Sequence, residues 1–187
     1  MSRVPKGYLG IDHQTLGGDI ISVLETVNRP EFILGPELVA KLRPLQRSGW
    51  YPIAVLLDLL ERLDQKLGAY HLKQVGWTIF GKYQAEDFKR EVHSAEAAMR
   101  VLDWQYRTRN RGTSIGGWAV ESFTATRAEL IKTTPHHCQM EEGILEEVLR
   151  TLGVKASVTQ SQCFRKGADC CHFVLEPRGS TDRWMAR

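Results

Sequence analysis

The sequence lacks the features that would place the chain in a membrane, a secretory route or a nucleic-acid complex. It has no apolar run as long as a bilayer-spanning helix, and residues 1–7 contain no apolar signal core. The formal net charge is only +3, with acidic residues interspersed among the basic ones. The glycines at positions 112, 116 and 117 match no nucleotide-binding fingerprint. We therefore expect a cytoplasmic protein without a membrane span or a nucleic-acid partner.

Helical patterns dominate the first two thirds of the chain and strand patterns the last third. Apolar residues recur at helical spacing in six segments, which are 13–28, a short segment from Pro36, 53–67, 69–81, 92–107 and 138–152. Residues that favour strands alternate in four segments, which are 118–124, 128–134, 154–164 and 170–175. This order predicts an α+β fold in which helices pack on an antiparallel sheet. We expect one domain over residues 1–176 and, because Gly, Ser, Thr and Arg dominate the rest, a flexible tail over 177–187.

Cysteine is absent from the first 137 residues and then occurs four times. Cys163 and Cys171 stand at equal distances from Gly167 in a predicted hairpin, so a simple register makes them a cross-strand pair with Cβ atoms about 5 Å apart. Cys138 lies at the head of a predicted helix and can complete the cluster. In a reducing compartment such clustering favours a metal over a disulfide. The sequence predicts a metal-stapled C-terminal hairpin; the alternative is a set of buried thiols that pack as small hydrophobic groups.

This C-terminal pattern resembles a known family. Cys138, the Leu-Gly-Val at 152–154, Cys163, the Lys-Gly at 166–167 and the Cys-His-Phe-Val at 171–174 are similar to the 4-vinyl reductase domain and to the sensor region of phenol-responsive transcription regulators. Their superfamily also contains haem nitric-oxide sensors and the TRAPP trafficking subunits. A weaker similarity covers the Trp-Tyr-Pro at 50–52 and the Leu-Gly and Val-Gly pairs at 67–68 and 75–76.

The resemblance implies a structural zinc ion held by Cys138, Cys163 and Cys171. The relatives supply a glutamate as fourth ligand, where this chain has Gln160, and a neutral amide is a poor zinc ligand. We expect His137 to close the site, with His136 as the nearest alternative. Further residues close enough in sequence are Cys170, His172 and Glu141.

The resemblance also implies an apolar ligand pocket between the helices and the sheet. Its expected wall is aromatic and consists of Trp50, Trp77, Trp104, Trp118 and Phe123. An apolar or aromatic small molecule is the expected ligand, and a tetrapyrrole is the alternative. His71 and His93 could ligate a haem, but a lone helical histidine is more often a surface residue. The tyrosine-serine-arginine pattern of the haem nitric-oxide sensors is not found.

These observations favour a non-enzymatic sensory domain that signals through a homodimer or a protein partner. An accessory factor for tetrapyrrole binding or 4-vinyl reduction is the second interpretation, and nothing in the sequence resembles a nicotinamide site that would support an enzyme acting alone. An assembly or scaffolding subunit is the third.

Overall fold

The computed structural model describes residues 12–179 and 182–185. Its helices are α1 (Gly17–Glu25), α2 (Pro30–Leu34), α3 (Pro36–Leu42), α4 (Ile53–Leu67), α5 (Ala69–Tyr83), α6 (Ala85–Glu91), α7 (Ala95–Arg109) and α8 (Cys138–Thr151). Its strands are β1 (Gln14–Leu16), β2 (Trp50–Pro52), β3 (Asn110–Arg111), β4 (Trp118–Phe123), β5 (Ala128–Lys132), β6 (Ala156–Gln162) and β7 (Cys171–Pro177). A 3-10 turn at Phe164–Lys166 lies between β6 and β7. In the described part of the chain, no helix is both long and apolar enough to cross a membrane.

The strands form two antiparallel sheets. The larger sheet has the order β4-β5-β7-β6, and β6 and β7 form the predicted hairpin. The smaller sheet has the order β2-β1-β3. Together with the eight described helices, these sheets confirm the predicted α+β class.

Two apolar cores meet at helix α8. One core lies between the larger sheet and helices α6, α7 and α8 and includes Leu145 and Phe173. The other lies among helices α1, α3, α4 and α5 and includes Met140. Ile144 of α8 packs against both. Helix α8 therefore joins the helical half of the molecule to the sheet.

Two glycines allow α5 and α8 to cross with their backbones in contact. A Cβ atom on Gly76 of α5 would lie 2.0 Å from the carbonyl oxygen of Met140, and one on Gly143 of α8 would lie 2.1 Å from the carbonyl oxygen of Lys73. No real Cβ atom approaches a carbonyl oxygen so closely, so larger residues would force the helices apart. This crossing fixes the position of α8 and of the cysteine at its start.

The structure corrects two predictions. The predicted helix over 13–28 begins as strand β1, because Thr15 pairs with both β2 and β3, partners that are distant in sequence. The prediction of a flexible tail is wrong at Trp184, because the side chain of this residue is fully buried. Its indole donates a 2.7 Å hydrogen bond to the carbonyl oxygen of Thr124, and its ring packs 4.8 Å from that of Phe123.

Candidate metal centre and cavity

Three elements bring three cysteines together. Helix α8 begins at Cys138 and strand β7 begins at Cys171. Strand β6 ends at Gln162, which pairs with His172, so the same register places Cys163 opposite Cys171. The turn between the strands needs a left-handed residue, and Gly167 supplies it with a φ of 113°.

The three sulfur atoms have the spacing of metal ligands. Cys138 Sγ lies 3.3 Å from Cys171 Sγ and 3.5 Å from Cys163 Sγ, and all three atoms lie within 4.8 Å of one another. Three sulfurs bound to one tetrahedral zinc ion at about 2.3 Å would lie about 3.8 Å apart. All three cysteines are buried free thiols. Small shifts of the side chains, in which the two shorter S–S distances lengthen by a few tenths of an ångström, would therefore complete the ligand geometry.

The cluster favours one thiolate over the others. Hydrogen bonding from Cys171, the nearby charge of Lys132 and hydrogen bonding from Gln160 and Cys163 outweigh burial and lower the pKa of Cys138 to about 5. The pKa of Cys171 is raised because its thiol donates to Cys138 and is itself buried. Burial and the neighbouring thiolate raise the pKa of Cys163. The lowered pKa favours the thiolate form of Cys138, with the other two thiols as hydrogen-bond donors to it.

Lys132 is a fully buried cation beside this anion. Its Nζ atom donates a 2.6 Å hydrogen bond to the carbonyl oxygen of His136 and lies 4.9 Å from the centre of the Phe164 ring. Its charge lowers the pKa of Cys138 and acts in the same direction on Cys171. A buried charge is stable only when it is compensated. The cysteine cluster supplies that compensation.

The predicted fourth ligand, His137, lies outside the group that can hold one ion. Among the described residues, that group consists of the three cysteines. His137 caps helix α8, because its Nδ1 accepts a hydrogen bond from the backbone of Gln139 at 3.3 Å. Its Nε2 lies 3.2 Å from Asp64 Oδ2, which is close enough for an ion pair. The two groups do not have the geometry of a hydrogen bond. Burial and the charge of Arg165 lower the pKa of His137.

Gln160 stands where the resemblance implies a glutamate. Its amide approaches Cys138 closely enough to contribute to the lowered pKa of that thiol. Its Nε2 atom is buried and makes no full hydrogen bond with the residues that the structure describes. The amide therefore faces the cysteine cluster without adding a negative charge to it.

An ionic network ties the hairpin to helix α4. The guanidinium of Arg165 lies 2.9 Å from Glu61 Oε2 and 3.2 Å from Asp64 Oδ2. Burial alone would raise the pKa of Glu61, but Arg165 holds it below its usual value. The hairpin and the helical half are thus connected by charge as well as by α8.

A second feature is a cavity of about 90 Å³ where the two cores meet. Helices α1, α4, α5, α7 and α8, strand β4 and the loop before α8 contribute to its wall. Its apolar lining residues are Val23, Leu56, Ile79, Leu102, Met140 and Ile144. An ion pair between Asp19 and Arg109 also lies in the wall.

The predicted aromatic residues do not share this cavity. Within residues 12–179 and 182–185, Trp118 is the member of the predicted set that lines it. Trp50 lies under an arginine of β3, and Trp77 donates a hydrogen bond to a glutamate of α8. Trp104 is 64% exposed, and Phe123 packs on the C-terminal tryptophan. The structure does not bring the five predicted aromatic residues together around this cavity, because they face different neighbours.

The polar part of the cavity wall was not foreseen from the sequence. His136 Nδ1 lies 3.1 Å from Glu141 Oε1, which also accepts a 3.4 Å hydrogen bond from Thr134 Oγ1. Burial would raise the pKa of Glu141, but His136 and Lys132 lower it. The hydroxyl of Tyr106 donates to the carbonyl oxygen of Ile115, and burial raises the pKa of this tyrosine.

The histidines considered as haem ligands lie elsewhere. His71 is exposed on α5, where its Nδ1 lies 2.6 Å from the carbonyl oxygen of Leu67. His93 is exposed between α6 and α7. In the described structure, neither residue lines this cavity.

Comparison with solved structures identifies the fold. An H-NOX protein from S. oneidensis in the Fe(II)NO ligation state matches with a TM-score of 0.68 and 16% identity, covering 88% of this chain and 99% of that one. The Fe(II) unliganded H-NOX protein from K. algicida matches with a TM-score of 0.66 and 14% identity, covering 88% and 97%. This chain has the H-NOX fold. A Cs H-NOX mutant has the same fold. It matches with a TM-score of 0.64 and 11% identity, covering 88% of this chain and 97% of that one.

Sequence comparisons add no closer relative. No family model and no curated protein matches the chain. The H-NOX fold agrees with the fold that the C-terminal resemblance implied, whereas the 4-vinyl reductase family itself is not shown.

Proposed function

We propose that this chain is a small-molecule-binding sensory domain with a structural zinc site in its C-terminal hairpin. The observation that carries the proposal is the cavity inside an H-NOX fold, at the point where helices from both halves meet the sheet. The neighbours with this fold include proteins described in Fe(II)NO and Fe(II)CO ligation states, which are states with a small bound ligand. A ligand between the two cores can change how they pack, which is the change that a sensor must transmit.

The donor set of the cysteine cluster fits zinc. Thiolates are soft ligands that select Zn²⁺ over harder divalent ions. Three thiolates around one Zn²⁺ leave one net negative charge, and buried Lys132 carries the opposite charge. Gln160 keeps this balance, because a glutamate in its place would add a second negative charge. The buried site is of the structural kind, and Cys138, Cys163 and Cys171 would hold the ion.

The cavity does not fit a tetrapyrrole. One neighbour with this fold is described in a study of heme distortion in the H-NOX family, but this cavity measures about 90 Å³. Pockets for drug-sized ligands enclose roughly 300–1,000 Å³, and an apolar cavity that binds benzene measures about 150 Å³. The ligand we propose is therefore a much smaller apolar molecule, and the tetrapyrrole alternative has only the fold in its support.

We also propose that the chain signals as a homodimer in the cytoplasm. Among the described residues, the exposed large hydrophobic side chains are Phe32 at 88%, Trp104 at 64%, Tyr70 at 62% and Met185 at 36%. Closed two-fold dimers are the commonest oligomers. Light scattering should give twice the chain mass of 21.3 kDa; a monomer bound tightly to another protein would favour the scaffolding alternative.

A thermal-shift screen tests the ligand proposal. The panel should contain small heterocycles and alcohols, phenols, lipids and tetrapyrroles, with the zinc content fixed by elemental analysis beforehand. A ligand at about 100 times its dissociation constant stabilises the folded state by roughly 2.7 kcal/mol. We expect stabilisation by the smallest apolar members. Stabilisation by tetrapyrroles alone, or by none of the panel, would contradict the proposal.

A further inference from the structure

A second space adjoins the cavity on the side of helices α6 and α7. This outer cleft encloses about 280 Å³. Its apolar lining residues are Phe88, Val92, Val101 and Trp104. The residues that line both the outer cleft and the cavity are Gln84, Gln105 and Arg109. All three are half-buried, so the two spaces meet at side chains that solvent still reaches.

Helix α7 presents neighbouring rows of side chains to the two spaces. The row that begins at Val101 and recurs every three or four residues lines the outer cleft. The row that begins at Leu102, one residue further along, lines the cavity in the same way. Gln105 contacts both spaces from α7, and Gln84 contacts both from the junction of α5 and α6. Two glutamines therefore stand where the cavity meets the outer cleft.

The side-chain amides of these glutamines are not engaged. Arg109 donates a 2.7 Å hydrogen bond to Asp19, and the hydroxyl of Thr108 donates one of 2.8 Å to the backbone carbonyl of Gln105. In the described structure, by contrast, the amide groups of Gln84 and Gln105 form no hydrogen bond. Each amide offers two N–H donors and a carbonyl acceptor. Together they can bind a ligand group that both donates and accepts.

The charges around the junction favour a neutral ligand group. The two amides carry no charge, and the guanidinium of Arg109 is already paired with Asp19. A charged group would lose its hydration there without gaining an opposite charge. The acidic side chains of Asp87 and Glu91 in the outer cleft disfavour an anion further. A hydroxyl or a carboxamide meets these conditions.

We propose that the cavity and the outer cleft form one ligand site, in which Gln84 and Gln105 bind the hydroxyl or carboxamide group of a small amphipathic molecule whose apolar end lies in the cavity. The inference rests on the proposed sensory function and specifies the ligand class of that same site. The two glutamines are the residues that distinguish such a molecule from an apolar one of equal shape.

1-Butanol and 1-fluorobutane form a matched pair of probes, because they have nearly the same shape and a fluorine atom donates no hydrogen bond. Intermolecular NOEs locate the two ends of bound 1-butanol. Its methyl end should contact Ile79 and Leu102 in the cavity, and its hydroxyl-bearing carbon should contact the side-chain amide protons of Gln84 and Gln105. Contacts of both ends with cavity residues alone, or with neither space, would overturn the inference.

Replacing both glutamines tests their contribution to binding. In Gln84→Leu combined with Gln105→Leu, the affinity for 1-butanol relative to 1-fluorobutane should fall about tenfold, as expected for the loss of a buried hydrogen bond. Gln74→Leu is the matched control and should leave this ratio unchanged, because Gln74 lies on α5 and lines neither space. An unchanged ratio in the double variant overturns the inference. It leaves the sensory proposal standing, because the cavity still binds the apolar probe.

A third variant tests the sensory proposal itself. Ile79→Phe places a larger side chain in the cavity and leaves both glutamines unchanged, so neither probe should bind. Undiminished binding of both probes to this variant overturns both proposals, because binding would then lie outside the cavity. Failure of both probes to bind the unsubstituted protein also overturns both. If the double variant does not fold, the NOEs of 1-butanol bound to the unsubstituted protein decide.

Discussion

The ammonium group of Lys132 donates a hydrogen bond of 2.6 Å to the backbone carbonyl of His136. This contact links the two candidate sites, because His136 lines the cavity and the cysteine of the cluster follows two residues later in the chain. The charge of Lys132 lowers the pKa of Cys138 on one side and that of Glu141 on the other. One buried cation therefore stabilises an anion in each site.

Replacing Lys132 with Met should weaken both zinc binding and the fold. The variant leaves the anions of the cluster uncompensated, and breaking a buried ion pair costs about 3 kcal/mol or more. Urea denaturation and zinc retention against a chelator measure the two effects. Lys155→Met is the matched control, because Lys155 is exposed on the loop before β6. A Lys132→Met protein that retains zinc and stability like the control would contradict the charge-balance argument.

Replacing Cys163 with Ser should remove the zinc. Protein purified without added metal should carry close to one zinc ion per chain, and the variant should lose most of it because a hydroxyl is a much poorer zinc ligand than a thiolate. Elemental analysis and the melting temperature, which should fall with the metal, report the change. Cys170→Ser is the control, since Cys170 lies outside the cluster. A metal-free native protein with an unchanged melting temperature would show that the cysteines are simply packed thiols.

The crossing of α5 and α8 gives a prediction about packing alone. Gly76→Ala places a methyl group 2.0 Å from the carbonyl oxygen of Met140 and should destabilise the fold by about 3 kcal/mol. Gly81→Ala in the same helix is the control. Its Cβ atom would meet only the carboxylate end of Glu147, which can move, so the gain in helix propensity should make it neutral or slightly stabilising. Equal stabilities of the two variants, measured by urea denaturation, would show that the crossing is looser than described.

An ion-pair cluster on the same two helices gives a pH dependence. Burial would lower the pKa of Lys73, but Glu142 and Glu146, at 2.8 and 2.7 Å, raise it above the ordinary value of 10.5. The stabilisation is therefore fully present below pH 10.5 and is lost as the pH rises through the higher folded-state pKa. The stability difference between the native protein and Lys73→Met should shrink over that range. Lys41→Met, at an exposed site, should show no such trend, and a constant difference for Lys73→Met would contradict the assignment.

The sequence was sufficient where local patterns decide the structure. Apolar spacing predicted α4 and α5 to within two residues of their ends. The equal distances of Cys163 and Cys171 from Gly167 predicted which cysteines meet, because a hairpin register is set by its own turn. Strand alternation could also have found Lys132. It stands on the same face of β5 as Ala128 and Leu130, which are both buried.

The remaining features depend on contacts between distant segments. Strand β1 forms only because β2 and β3 lie on either side of it. Residue type alone predicts that the tryptophans line an apolar pocket. The direction of each side chain, however, depends on the element it packs against. His136 was considered as a metal ligand because it is near Cys138 in sequence. In the structure its ring contacts Glu141 and the residue lines the cavity, and no pattern in the sequence signals that placement.

The measurement that tests the central claim most directly is a methyl NMR titration of the zinc-loaded protein with pyrrole. The account predicts shifts concentrated on the methyl groups that line the cavity, those of Val23, Leu56, Ile79, Leu102, Met140 and Ile144. Methyl groups of the core distant from the cavity, such as Leu175 on β7, should change little. Shifts that saturate at the cavity and are absent from Ile79→Phe would establish a small-molecule site between the two cores. Cavity methyl groups that remain unperturbed at saturating pyrrole would contradict the account.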